Sequence, residues 1–428
     1  QLNNVVIFQD AAPGYESAEP VILQGHMDMV CEKEPGCTKD MAVEGLDLVL
    51  DGDTVSAKGT TLGGDDGIAV AMALAFLDDT SLSHPAIEAI FTVDEETGMY
   101  GAEGLDVSVL KGRRMLNMDS EDEGVFTVSC AGGARADCCL PIRRQRFGAP
   151  VQEIAVTGLV GGHSGAEIDK GRANSSMLLG RVLCALEQKT PLRVISVSGG
   201  LKDNAIPTAS VALVAADAGA VQAVCAEMDA AFKKEYRVND PAITVSARPA
   251  ESSLLPMDEA SSRSAVCLLA CLPNGIQAMS ADMPGLVQTS LNLGILTTGD
   301  DAVHASFSVR SSVATQKQML IDRLRCLTES LGGSVSTHGE YPGWEYMPQS
   351  PLRDLMVQVF TDQYGYAPKV EAIHAGLECG LFSAKLPGLD CVSFGPDLKE
   401  IHTFRESLSV SSVQRVYAMV VETLKRMH

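Results

Sequence analysis

The chain has 428 residues, of which 46% are hydrophobic and 21% charged. At roughly 150 residues per domain this makes two to three globular domains and excludes disordered, collagenous and coiled-coil classes. Thirty-three Lys and Arg against 55 Asp and Glu leave a net charge of −22. Such a field repels phosphate backbones and anionic lipid, which excludes nucleic acid and membrane surfaces as partners and suits a protein that collects divalent cations. Along the chain, residues 5–9 and 20–25 read as strands, 63–67 as a Gly-rich turn and 68–77 as a buried helix. Residues 86–93 and 115–118 are strands again. From about 133 to 341 the pattern changes to strands at 153–157, 193–199, 210–215 and 304–310 with two long helices. This predicts a second α/β domain inserted into the first, large enough to hold two similar halves. After it come a helix at 352–364, a strand at 391–394 and an amphipathic helix at 410–426. The expected fold class is α/β, a mixed, mainly parallel catalytic sheet with a large inserted α/β lid. Its segments are residues 1–132 and 342–428 for the catalytic domain and 133–341 for the lid.

The chain carries twelve cysteines, scattered and without a C-x-x-C pair, so zinc ribbons and thioredoxin-like motifs find no support. Scattered thiols in a long chain indicate a reducing compartment, here the cytoplasm. No run approaches the ~18 apolar residues needed to span a bilayer. The chain opens at Gln1 without a methionine, so a native N-terminus and any signal peptide on it can lie outside the sequence.

Four turns place a histidine or carboxylate after an apolar run: Gly25-His26-Met27-Asp28, Gly63-Gly64-Asp65-Asp66-Gly67, Asp94-Glu95-Glu96 and Asn117-Met118-Asp119. His26 and Asp28, two apart on an extended segment, share a face, and a carboxylate beside a histidine fixes its tautomer. The glycines allow a tight backbone before a helix start that favours negative charge. Adjacent carboxylates can divide roles, one on a metal and one as proton carrier. In parallel sheets ligands gather beyond the carboxyl ends of the strands, where all four turns should meet. A calcium loop starting at Asp119 fails because its twelfth position is Cys130. Ser164 does not sit in a Gly-x-Ser-x-Gly elbow. The glycines of 161–165 lack the Lys-Ser/Thr of a phosphate loop.

These four turns resemble the dinuclear zinc aminoacylase/carboxypeptidase/dipeptidase superfamily. Leu159-Val-Gly-Gly-His163-Ser-Gly165, Asn204-Ala-Ile-Pro207, Tyr341-Pro-Gly-Trp344 and Ile373-His-Ala-Gly-Leu-Glu-Cys-Gly380 resemble, within it, the aminoacyl-histidine dipeptidases, also called Xaa-His dipeptidases or peptidase D. The resemblance runs through essentially the whole chain. It implies two Zn2+ per chain, with Mn2+ or Co2+ as substitutes. His26 and Asp119 would bind one ion, Glu96 and His402 the other, and Asp65 would bridge them. Asp28 would support His26 and Glu95 would be the general base. His163 would stabilise the oxyanion, and Asn204 and Arg310 would contact substrate. The implied reaction is hydrolysis of unblocked dipeptides, Xaa-His types first, with a homodimer left open. Another amide substrate (that of an aminoacylase, carboxypeptidase or aminopeptidase) and a non-catalytic, metal-stabilised peptide scaffold are the alternatives. Retention of Glu95 speaks against the scaffold, which has no need of a non-ligand base.

Three features depart from the family pattern. Only 25 residues precede His26, which implies a missing helical segment. His402-Thr403-Phe404 replaces the usual Ser-Pro or Thr-Pro after the last ligand. Asp66 stands where Asn is common and is expected to add negative charge beside the metals.

Overall fold

In the computed structural model, which describes residues 2–428, the chain divides into two units. The first comprises Gln1–Cys130, Trp344–Ile373 and Leu377–His428, and the second comprises Ala131–Gly343 and His374–Gly376.

The first unit is built on a seven-stranded mixed sheet. Its order is Val5–Gln9, Ile87–Thr92, Val21–His26, Arg114–Asn117, Asp390–Ser393, Val125–Cys130, Lys369–Ile373. The three pairings from Ile87–Thr92 across to Asp390–Ser393 are parallel, while Val5–Gln9 runs antiparallel at the edge. All six residues of Val21–His26 are buried, as expected of a central strand covered on both faces. One layer of the core joins Val21 and Leu23 to Met72 and Phe76 of the Gly64–Asp78 helix and to Val416, Met419 and Val420 of the Val410–Lys425 helix. Each such side chain contributes about 1.5–3 kcal/mol of burial. The sheet therefore stays in place while its strand ends carry groups that add little to stability.

A small antiparallel sheet in the order Leu398–Lys399, Ser407–Ser409, Thr54–Ala57, Leu48–Asp51 belongs to the same unit. Sequence patterning missed it, although Asp51-Gly52-Asp53 is a recognisable hairpin turn and Gly52 has φ 60°. Its first connection, residues 400–406, is the loop that carries His402.

The second unit is a nine-stranded sheet whose ladders are all antiparallel, with Ser175–Glu187, Ala218–Glu235, Glu259–Cys271 and Ala314–Ser330 as its helices. The expectation of two long helices is corrected to these four. Ser175–Glu187 and Glu259–Cys271 are 13 residues each. Serines at positions 175, 176, 261 and 262 interrupt their apolar stripes yet are buried. The long strands Val287–Thr298 and Ala302–Ser311 form a hairpin through the centre of the nine-stranded sheet.

Candidate active site

The strand Val21–His26 ends on Gln24-Gly25-His26. Gly25 is required by close approach: a Cβ there would lie 2.5 Å from Asp66 Oδ2 and 2.6 Å from Ala69 Cβ. Its absence lets the Asp66 carboxylate reach the His26 N–H, which donates to Oδ2 at 3.1 Å. The His26 ring nitrogen Nδ1 lies 3.0 Å from the Asp28 carbonyl oxygen. A carbonyl only accepts, so Nδ1 carries a proton and Nε2 is the nitrogen left to offer a lone pair to a cation. Nε2 faces Asp65 Oδ1 at 3.1 Å and Asp119 Oδ1 at 3.6 Å.

The Asp28 carboxylate is 3.6 Å from His26 Nδ1 and is engaged elsewhere. Its two oxygens accept the Glu95 and Glu96 N–H groups, both at 3.1 Å. It thereby fixes the four-residue helical turn Glu95–Gly98 that follows the Ile87–Thr92 strand. That turn is entered through Asp94 and left through Met99, both left-handed at φ 56° and 60°. Non-glycine residues take such a conformation rarely, and functional turns are where they gather.

The other oxygen of Asp65, Oδ2, faces His402 Nε2 at 3.1 Å. His402 Nε2 lies 2.9 Å from Glu96 Oε1, a buried oxygen that has no hydrogen-bond partner. His402 is itself left-handed at φ 60°. The ligating atoms thus fall into three overlapping groups that can hold a metal ion: His26-Asp65-Asp119, Asp65-Glu96-His402 and His26-Glu95-Glu96. Asp65 belongs to the first two with one oxygen turned to each imidazole. The ligand set is nitrogen and oxygen without thiolate, and the carboxylates of Asp65, Asp119 and Glu96 crowd the two imidazoles. Both features fit a pair of divalent cations.

The electrostatics agree. Burial works to lower the His26 pKa, but Asp119, Asp28 and Asp65 outweigh it and hold it far above the ordinary imidazole value. Asp65 and Glu96 push His402 up to about 10. Here protons stand where cations would compensate the carboxylates. Burial, with Asp119 next, raises Glu95 to about 8. Asp66 is not a member of the metal-holding groups. Burial raises its pKa well above the carboxylate range.

The second unit holds the remaining candidates. The short strands Gly162–His163 and Ala205–Ile206 pair, setting His163 opposite Ala205, and the Asn204 carbonyl accepts the Ser164 N–H at 2.8 Å. His163 Nδ1 accepts the N–H groups of Gly165 and Ala166 at 3.2 and 3.0 Å, which leaves the proton on Nε2. Burial and then the Arg310 charge lower its pKa, keeping the ring neutral. A Cβ on Gly165 would meet the His374 carbonyl oxygen at 2.7 Å, His163 Cε1 at 3.0 Å and Arg310 Nε at 3.1 Å, so these groups close around a bare backbone. Arg310 donates from Nη1 to the Tyr341 hydroxyl at 3.2 Å, and its buried Nε has no partner.

Sequence reasoning gave no role to Glu406, Gln24, Glu378, Tyr341 or His374. Glu378 Oε2 accepts from Gln24 Nε2 at 2.6 Å and from the Thr92 hydroxyl at 2.7 Å. The His374 ring faces Ser290 Oγ at 2.7 Å. The motifs Tyr341-Pro-Gly-Trp344 and Ile373–Gly380 were the available signal for three of the five.

The sequence model of the peptidase family M20/M25/M40 matches residues 22–426, and the chain belongs to this family of metallopeptidases and is a hydrolase. It is 34% identical over 430 residues to the cytosol non-specific dipeptidase of Escherichia coli (strain K12), covering 99% of this chain and 89% of that one. In structure it is similar to the aminoacylhistidine dipeptidase of Vibrio alginolyticus, with a TM-score of 0.93 and 35% identity over 99% of this chain and 87% of that chain. The aminopeptidase PepT of Bacillus cereus, at a TM-score of 0.53 and 15% identity over 99% of this chain and 84% of that chain, shares the fold alone.

Proposed function

We propose that the chain is a metal-dependent dipeptidase that cleaves unblocked dipeptides, Xaa-His dipeptides foremost. The observation that carries this reading is Asp65, whose two oxygens face His26 and His402 separately at 3.1 Å. His26, Asp65 and Asp119 would hold one zinc ion, and Asp65, Glu96 and His402 the other. Two such cations supply, when bound, Lewis acidity toward a carbonyl and a water acidified toward neutrality. The naming of the Escherichia coli and Vibrio alginolyticus relatives as dipeptidases supports the substrate class.

The chain's own residues do the rest. Glu95 takes the water's proton on its carboxylate and returns it to the departing amine. A carboxyl whose surroundings already favour its protonated form is suited to hold that proton between the two transfers. The neutral His163 donates from Nε2–H to the oxygen that becomes negative. Arg310, with a free Nε and a tethered Nη1, grips the substrate's terminal carboxylate. Asn204 contacts substrate beside His163. A grip on the terminal carboxylate would select short peptides with a free C-terminus, dipeptides first.

Cytoplasmic location is supported by the name of the Escherichia coli relative. Among the described residues no helix is long and apolar enough to cross a membrane. The homodimer suggested by the family remains part of the proposal. A panel of dipeptides, their C-terminal amides, a tripeptide and N-acyl amino acids, assayed with and without chelator, tests the reading. Chelator-sensitive cleavage of the dipeptides alone is expected. Equal cleavage of the amides, or activity confined to acyl amino acids, overturns it.

A further inference from the structure

Glu406 lies four residues beyond His402 and is 2% exposed, yet among the described residues it makes no ion pair. Its carboxylate is turned into the Gly-rich turn that precedes the Gly64–Asp78 helix. Oε2 accepts the N–H groups of Leu62 and Gly63, each at 2.8 Å, and Oε1 accepts the Asp65 N–H at 3.1 Å. These are amides at a helix start, where backbone donors lack partners of their own. Gly63 itself is left-handed at φ 69° with no side-chain cap, so the carboxylate from 343 residues away performs the task a local cap would.

The same residue closes the loop that presents His402. The Glu406 N–H donates to the Thr403 carbonyl at 3.1 Å, and the Thr403 hydroxyl donates to the Glu400 carbonyl at 2.7 Å. Glu400 and His402 are both left-handed, at φ 50° and 60°. A non-glycine residue holds that conformation only where its surroundings fix it. The Ser407–Ser409 strand, immediately after Glu406, pairs with Thr54–Ala57 and anchors the other side. One side chain thus joins the two segments that carry Asp65 and His402. These segments are far apart in sequence and share no other hydrogen bond except the contact of their own metal-facing atoms.

We propose that Glu406 is a positioning residue that sets the Asp65 turn against the His402 loop before metal arrives, so that both cation sites are preformed. It touches neither cation nor substrate. The proposal rests on the two-metal reading given above. It parallels the Asp28 carboxylate, which holds the Glu95–Glu96 turn through two N–H groups. Between them these two acids hold three of the five segments that meet at the site: the Asp65 turn, the Glu95–Glu96 turn and the His402 loop.

The test uses the full chain stripped of metal by chelator. In the wild type the amides of Leu62, Gly63 and Asp65 should be protected from hydrogen exchange without any metal present. In Glu406→Ala they should exchange rapidly while the second unit keeps its protection. Zinc titration of the folded variant should show both affinities reduced, about 10–100-fold, the range found when groups that orient metal ligands are removed. Glu406→Gln, which keeps one acceptor oxygen, should fall between the two. A merely structural role would lower the melting temperature and leave the zinc affinity of the folded protein unchanged, and that result overturns the proposal. Should Glu406→Ala not fold, the Gln variant and the wild-type exchange decide: unprotected amides in the metal-free wild type, or wild-type zinc affinity in Glu406→Gln, contradict it. If the wild type binds fewer than two zinc ions, the two-metal reading fails by itself. The exchange data would still report on the Glu406 anchor.

Discussion

In the first unit His26, Glu95, Glu96 and Asp119 follow the carboxyl ends of parallel strands, and Asp65, at the start of the Gly64–Asp78 helix, is shared between His26 and His402 of the 400–406 loop. In the second they are His163 and Arg310, set around the bare backbone of Gly165 on an antiparallel sheet. One unit concentrates acceptors suited to cations, the other donors suited to anions. Under the proposed reading, this contrast would give a strongly acidic chain a place for the negatively charged end of a substrate. Burial lowers the His163 pKa and keeps it a neutral donor, while burial raises the Glu95 pKa toward the protonated form. The same physical cause, loss of water, gives opposite directions because one group is cationic when charged and the other anionic.

The largest effect expected from breaking this contrast is at Asp65. Asp65→Ala should lose both metal equivalents, measured by elemental analysis after reconstitution with zinc, and reduce turnover to background. Retention of two ions would show that the shared carboxylate is not a bridge. In the second unit, His163→Ala should keep its full metal content and lose roughly 10²–10³ in kcat with KM little changed, as for removal of an oxyanion donor. Near-normal turnover would reduce His163 to a cap on a Gly-rich turn. Arg310→Ala should act on recognition, raising KM for a dipeptide at least about tenfold and abolishing its preference over the dipeptide amide. Arg310→Lys should restore only part of that preference, since a lysine cannot grip a carboxylate with a planar fork.

The smallest expected effect concerns His374. Burial, and then the Arg310 charge, lower its pKa from 6.5 to about 4. The unfolded chain therefore binds a proton more readily than the folded one between those values. This contribution to stability is complete above pH 6.5 and is lost as pH falls toward 4, by an amount on the order of 3 kcal/mol. His374→Gln removes the titration while leaving Ser290 a polar neighbour. Thermal unfolding of the wild type should fall more steeply than that of the variant through this range. Parallel curves would contradict the shift.

Much of the first unit was legible because its signals are local. Val21–His26 and Ile87–Thr92 are fully buried strands rich in apolar residues, and each leads into a residue of distinctive chemistry. The helix expected from 68 keeps that start in its regular part: Asp65 and Asp66 depart from helical geometry inside the span Gly64–Asp78, so regular turns begin only after them. The Glu406 carboxylate was invisible for a different reason. Its three partners are backbone amides 341 to 344 residues away, and backbone donors leave no trace in residue type. Arg310 stood out at the end of an alternating strand, whereas Tyr341, which accepts its hydrogen bond, sits 31 residues on at the end of another. For Asp66 the sequence shows an acid but not its burial.

Glu95→Gln tests the central claim most directly, because it separates holding metal from moving a proton within one pair of adjacent acids. Glu95 also lies within reach of His26 and Glu96 as a third potential metal-holding group, so its role is open to direct contradiction. Metal content and kcat should be measured on the same preparation, with an Xaa-His dipeptide as substrate. The account predicts two zinc equivalents, an unchanged fold and a kcat lower by at least about 10²–10⁴-fold, the usual contribution of a general base. Loss of metal with an undiminished rate per remaining ion would contradict it and make Glu95 a ligand.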